Sequence, residues 1–257
     1  PINFSITHKK DSGFKNLNNV EIYNIKGVHP SGNESFQINK IDPLNFGETI
    51  WVIKPEDLSN IGAFFRTGVF SSSRTVAISG DSLKSPKYYS TVIGASISSL
   101  INSDDMNDIK NYRFINGDPL SGSKVEYSEF LGFYNNSLSV IEEGNQYRML
   151  GWLPFMYNSV PSFSKTSFSW LLGGAKKVNT NLNGEERAIV VTGEMEKYFP
   201  MDIFPMQLIK ACMRGDIEKM ESLGIYEVIP EDFGLVDFSC TSKIEAQEII
   251  KSGIEIM

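Results

Sequence analysis

The sequence predicts an α+β chain, with short strands gathered early and helices gathered late. Three observations point there. Short β-branched runs stop at glycine or at Asn-Gly in the first part of the chain. One long stretch, Pro55 to Gly68, repeats apolar residues at helical spacing. From Asp202 onward, apolar residues at helical spacing are punctuated by Asp, Ser and Gly.

Ile2 to Thr7 reads as a strand with Phe4 and Ile6 on one face, and Val20 to Ile25 as the next, separated by a polar loop from His8 to Asn19. A glycine-containing run, Gly27-Val28-His29-Pro30-Ser31-Gly32-Asn33, follows directly. Such a loop after a strand can cradle phosphate. It carries no GxGxxG or GxxxxGK[ST] pattern, so a plain turn is the competing reading. His29, ahead of a proline, is a candidate ligand residue or a structural hydrogen-bonder. Two strands with this loop are expected to be the end of a nucleotide-type α/β domain.

Trp51 to Ile53 is expected as a further strand. Pro55 opens a helix, where its missing N–H costs nothing. Glu56 and Asp57 favour the positive end of its dipole, and Gly68 fits its C-terminal cap. Leu58, Ile61, Phe64 and Phe65 are expected in a core rather than around a cofactor.

The clearest local signals lie between Thr75 and Gly122. Thr75 to Ser79 is a strand that stops at Gly80, Ser85-Pro86 is a turn, and Tyr88 to Val92 is a second strand closed by Gly94. Ser96 opens a short helix with Ile97, Leu100 and Ile101 at helical spacing. Tyr112 to Ile115 returns as a strand and ends in the turn Asn116-Gly117-Asp118-Pro119. This order predicts a small β-grasp unit, with the helix laid across its sheet.

Phe130 to Tyr134 and Ser137 to Ile141 are expected as strands around Asn135-Asn136, Glu142 to Asn145 as a turn, and Tyr147 to Trp152 as another strand. Residues 153–169 read as an extended crossing. Asn183-Gly184 suits a hairpin turn between Val178–Leu182 and Ala188–Val191. Asp202 is expected to cap a helix running through Pro205, Leu208, Ile209, Cys212 and Met213 to Gly215. Asp216 caps a second, which ends near Leu223 with Gly224 behind it. Pro230-Glu231-Asp232 starts a third, and Ser242 with Glu245 forms a capping box for a final helix containing Ile249 and Ile250.

A chain of 257 residues, 41% hydrophobic and 21% charged, has the composition of an ordinary globular protein. Its formal net charge of -7 argues against sequence-independent nucleic-acid binding. No apolar run is long enough to span a bilayer. The first residue is Pro1, close to a strand, which leads to the expectation of a fragment. The two cysteines, Cys212 and Cys240, do not make a disulfide framework, and a reducing cytosol is the expected compartment. Neither the histidines nor the spacing of the carboxylates suggests a zinc site, so no metal ligand and no catalytic residue is assigned.

The region from Arg74 to Gly122 resembles the soluble-ligand-binding β-grasp (SLBB) domain, through Ser79-Gly80, Pro86-Lys87-Tyr88-Tyr89 and the Gly94 turn. Across its whole length the chain resembles the A-subunit family of the bacterial sodium-translocating NADH:quinone oxidoreductase (Na+-NQR). The resemblance rests on Gly27 to Gly32, Val76 to Gly80, Tyr112 to Gly117 with Leu120-Ser121-Gly122, and Glu142-Glu143-Gly144 followed by Leu150-Gly151-Trp152. Its most distinctive part is the run from Glu196 to Leu208, continued in register by Gly215-Asp216, Leu223-Gly224 and Glu231-Asp232.

That resemblance implies a fold in four parts. Residues 1–73 would be the second half of a Rossmann-like α/β domain, and 74–152 an SLBB-type β-grasp region with following strands. Residues 153–193 would be an extended connection and hairpin, and 194–257 a small C-terminal helical domain. It also implies a C-terminal fragment of a peripheral subunit on the cytoplasmic face of the bacterial inner membrane. The partners would be the other subunits of the complex, above all the membrane B-subunit, with quinone nearby. NADH, flavins, iron–sulfur and quinone would be used on other subunits, and this chain would bind no cofactor. The family often has Cys-Pro-Gly-Lys where this chain reads Cys240-Thr241-Ser242-Lys243, and a cubane cluster needs four thiolates. The surface expected to lie near a partner or quinone comprises His29, Pro30, Ser31, Tyr198, Phe199 and Phe204. Phe199 and Phe204 belong to a run with more aromatic, Met and Pro residues than one helical face can bury, and interfaces favour aromatic and Met side chains; the competing reading is an internal wedge between the β-grasp unit and the C-terminal helices. Two rival readings are a flavin- and NADH-binding subunit, like the related one of respiratory complex I, and a stand-alone β-grasp receptor for a small ligand.

Overall fold

In the computed structural model, residues 1–7, 14, 17–101, 109–144, 170–171 and 177–257 are described. The chain divides into one unit made of residues 1–52 and 187–257 and a second made of residues 53–186. The expected strand Tyr147 to Trp152 and the crossing over residues 153–169 lie outside the described residues.

In the first unit, β1 (Asn3–Thr7) and β2 (Glu21–Ile25) pair in parallel, Asn3 opposite Glu21 and Thr7 opposite Ile25. A parallel pair requires a crossover rather than a tight hairpin, which places the pair in an α/β arrangement. Helix α1 (Glu34–Ile41) follows the glycine-containing loop. It has Glu34 in its first turn and Lys40 in its last, both favourable to the helix dipole. Only Ser35 is buried in α1, so the helix lacks the apolar stripe that would have announced it in the sequence.

The C-terminal part of this unit carries α4 (Pro205–Arg214), α5 (Ile217–Ser222), α6 (Gly234–Ser239) and α7 (Ala246–Ile256), with a 3₁₀ turn over Pro230–Phe233. Leu208, Ile209, Met220, Phe233, Val236 and Ile250 are completely buried in their shared core. Each such side chain contributes about 1.5–3 kcal/mol by leaving water. Gly253 lets α7 come close, since a Cβ there would lie 2.5 Å from Cys212 Sγ.

Two helix starts differ from expectation. The N-cap of α4 is Phe204, with Pro205 at the first helical position, and not Asp202. Proline fixes the start there because its φ already suits a helix and no N–H is needed. The N-cap of α7 is Glu245, and Ser242 forms no capping box; its hydroxyl donates instead to the Ala188 carbonyl (3.1 Å). The first amides of α7 are received by Asp237 of α6, from Ala246 N at 2.6 Å and Gln247 N at 3.3 Å. A carboxyl group from a neighbouring helix thus does the work of a local cap. Asp216 caps α5 as expected, accepting from Lys219 N, and Gly215 and Gly224 take left-handed conformations behind α4 and α5.

In the second unit, β3 (Ser73–Ser79), β4 (Lys87–Val92), β5 (Tyr112–Asn116), β6 (Ser123–Val125) and β7 (Ser137–Glu142) form one sheet in the order β4-β3-β7-β5-β6. β3 and β7 run parallel and the other pairs antiparallel. With α3 (Ile97–Leu100) between the second and third strands, this is the β-grasp order. Val76, Ile78, Ile97, Leu100, Phe114, Leu138 and Val140 make its core. Gly80 is required where β3 leaves the sheet: φ is +136°, and a Cβ would lie 1.9 Å from the Val140 carbonyl oxygen.

Helix α2 (Pro55–Thr67) has the expected proline at its start and Gly68 in the left-handed conformation at its end. Its two N-terminal acids hold it to the sheet. Glu56 accepts from Thr75 N (2.9 Å) and Asn136 Nδ2 (3.1 Å), and Asp57 pairs with Arg74 (2.6 Å). Arg74 is 2% exposed and also donates to the Phe133 carbonyl and Asn136 Oδ1. The apolar side of α2 is not a core: Phe64 is 44% exposed and Phe65 83%.

Four expected strands are absent among the described residues. Trp51 to Ile53 is exposed and unpaired in any sheet. Phe130 to Tyr134 contributes only a single bridge, Ser96 to Phe130, before a turn. Asn183 has positive φ, but no strands flank Asn183-Gly184. Propensity supplied these readings, and strands form only where a partner edge exists. Near that last segment Asn179 bridges Glu142 instead. There Glu143 accepts from Arg113 Nε (2.7 Å) and Nη2 (2.5 Å), and from Thr180 Oγ1 (2.8 Å). The Arg113 hydrogen bonds hold the Glu143 carboxyl below the usual range, against a smaller opposing effect of burial. Among the described residues no helix is long and apolar enough to cross a membrane.

Candidate interaction surface

The loop after β2 is built by close packing at Gly27, where a Cβ would meet Ser31 Oγ at 2.7 Å. Ser31 N donates to the Val28 carbonyl (2.9 Å) and Asn33 N to that of Pro30 (2.8 Å). Gln37, one turn into α1, donates its side-chain amide to the carbonyl of Gly32 (3.1 Å). The backbone therefore closes on itself and on α1. His29 is exposed, Pro30 is buried behind a cis peptide bond, and Ser31 is half-buried.

The second candidate segment runs from a 3₁₀ turn at Met195–Lys197 to the start of α4. Phe199 is 5% exposed, with its ring centroid 4.8 Å from that of Phe233. Met201 and Met206 are buried with it, and Tyr198 is half-buried. Phe204 stands out at 60% exposure. The two phenylalanines that composition placed together are thus separated: Phe199 is a core residue of this unit, and Phe204 lies on its surface. Proline explains the split, since Pro200 and Pro205 prevent the run from forming one helix with one face.

Two consecutive residues, Asp232 and Phe233, bring the two segments together. Asp232 is 2% exposed and accepts from Ser35 Oγ (2.6 Å), Asn33 Nδ2 (2.9 Å) and Ile229 N (3.0 Å). It holds the end of the loop and the start of α1 against the C-terminal helices. Asn39 of α1 adds a hydrogen bond to Glu227. Phe233 receives Phe199. Local sequence assigns Asp232 only the role of a first-turn acid. Its partners from the loop and α1 are almost two hundred positions away, beyond the reach of any local signal.

Cys212 and Cys240 are buried and free, and burial pushes the Cys212 thiol up. Among the described residues no three His, Cys, Asp or Glu side chains gather in a way that could hold a metal ion.

Residues 1–70 match the family model described as the NqrA second alpha/beta domain, and residues 75–127 match that described as the NQRA C-terminal domain. The chain is 33% identical over 242 residues to the A-subunit of the Na(+)-translocating NADH-quinone reductase of Neisseria meningitidis serogroup C, covering 94% of this chain and 54% of the relative. It is 34% identical to the subunits of the same name from Pasteurella multocida strain Pm70 and Haemophilus influenzae strain PittGG. Those matches cover 92% and 93% of this chain and 53% of each relative. The chain therefore spans about half the length of the curated relatives it matches.

Proposed function

Because the chain belongs to the NqrA family, the A-subunits of Na(+)-translocating NADH-quinone reductases, we propose that it serves as a non-redox, peripheral subunit of such an enzyme. The enzyme would move electrons from NADH to quinone and couple them to Na+ export. The observation that carries this reading is similarity along 94% of the chain to relatives so named. In this proposal flavins, iron–sulfur and the site of hydride transfer lie on other subunits. The donor set supports that division, since the chain has two cysteines, both buried, where a cubane cluster needs four thiolates. The chain would sit on the cytoplasmic face of the membrane and dock against the membrane B-subunit.

The docking surface we propose comprises His29, Ser31, Tyr198 and Phe204, with Pro30 and Phe199 as their buried supports. Phe204→Ser tests it cleanly. Serine is a favoured N-cap and Phe204 makes no side-chain cap bond, so α4 loses nothing and can gain about 0.5–2 kcal/mol. The expected outcome is an undiminished melting temperature with loss of co-purification with the membrane subunits in the intact complex. Undiminished co-purification would remove Phe204 from the interface. Phe199→Ser, by contrast, is expected to unfold this unit. The purified chain is expected to show no flavin absorption, and stoichiometric flavin bands would overturn the non-redox assignment.

A further inference from the structure

We draw no further inference here: the strongest candidate, the exposed apolar face of helix α2 formed by Leu58, Ile61, Phe64 and Phe65, carries nothing because nothing in the structure shows what covers it.

Discussion

Removing the Asp232 side chain should release the 27–35 segment from the C-terminal helices. Asp232→Ala strands two donors, the Ser35 hydroxyl at 2.6 Å and the Ile229 amide at 3.0 Å, and leaves the Asn33 side-chain amide, now at 2.9 Å, only its longer bond to the Glu231 carbonyl (3.4 Å). Ser35 is 6% exposed, so its hydroxyl would find little water, and a buried orphan of that kind costs about 1–3 kcal/mol. Asn33 is only half-buried and can recover part of its loss by hydration. Counting the first in full and the others in part gives about 2–5 kcal/mol. Asp232→Asn can keep the oxygen that receives Ser35 and Asn33 but turns an NH2 toward the Ile229 amide, so it should recover only part of that loss.

The sharper measurement is a double-mutant cycle between Ser35→Ala and Asp232→Ala in urea denaturation. Their hydrogen bond is buried, and its two ends lie 197 positions apart. A coupling of about 1–3 kcal/mol is expected, as for a hydrogen bond to a carboxyl group. Additive effects, with coupling below about 0.5 kcal/mol, would refute the claim that this pair ties the loop and α1 to the helices.

Pro205→Ala should be mild, about 1 kcal/mol, because position one of α4 needs no N–H and the main change is a freer unfolded chain. Leu208→Ala, at a fully buried position one turn later, should cost about 2–5 kcal/mol; equal melting-temperature losses for the two would show that the start of α4 is misplaced. Glu143 gives a pH dependence with a defined sign. Its folded pKa is lowered, chiefly by Arg113, so its stabilising effect is present above the ordinary glutamate value of about 4.3 and is lost as pH falls through the lower folded value. Glu143→Gln should flatten the stability-against-pH curve in that acid range, and an unchanged slope there would count against the Arg113 contact.

Elements specified by neighbouring residues are legible in the sequence alone. Gly68 and Gly215 end their helices in left-handed conformations, and Asp216 caps α5 through Lys219 N. The strand–strand–helix–strand order between Thr75 and Ile115 points to the β-grasp, although β6, only three residues long, gives no signal of its own. What stays hidden depends on partners. Phe64 and Phe65 have the spacing of an apolar face, but spacing says nothing about what covers it. Trp51 to Ile53 has strand composition and meets no strand among the described residues. Of the candidate surface, the aromatic and proline content of the 198–206 run is visible in the sequence. The division of labour between Phe199 and Phe204 is not, because it depends on where α4 begins.

The 3₁₀ turn at Pro230–Phe233 explains how one short segment serves both candidate stretches. Three residues per turn set successive side chains roughly a third of a turn apart, so Asp232 and Phe233 diverge. The Asp232 carboxyl also accepts from the Ile229 amide at the start of that turn, which fixes its own orientation before it receives Ser35 and Asn33. Phe233 carries no polar duty and is fully buried, so it is free to serve as the floor on which Phe199 packs. A polar anchor and an apolar anchor thus sit on adjacent residues of one rigid turn. The polar one gives direction to the loop bearing His29, and the apolar one gives burial energy to the segment that ends in Phe204. The loop bearing His29 needs no regular structure of its own to be held in place, which is consistent with its reading as a loop in the sequence.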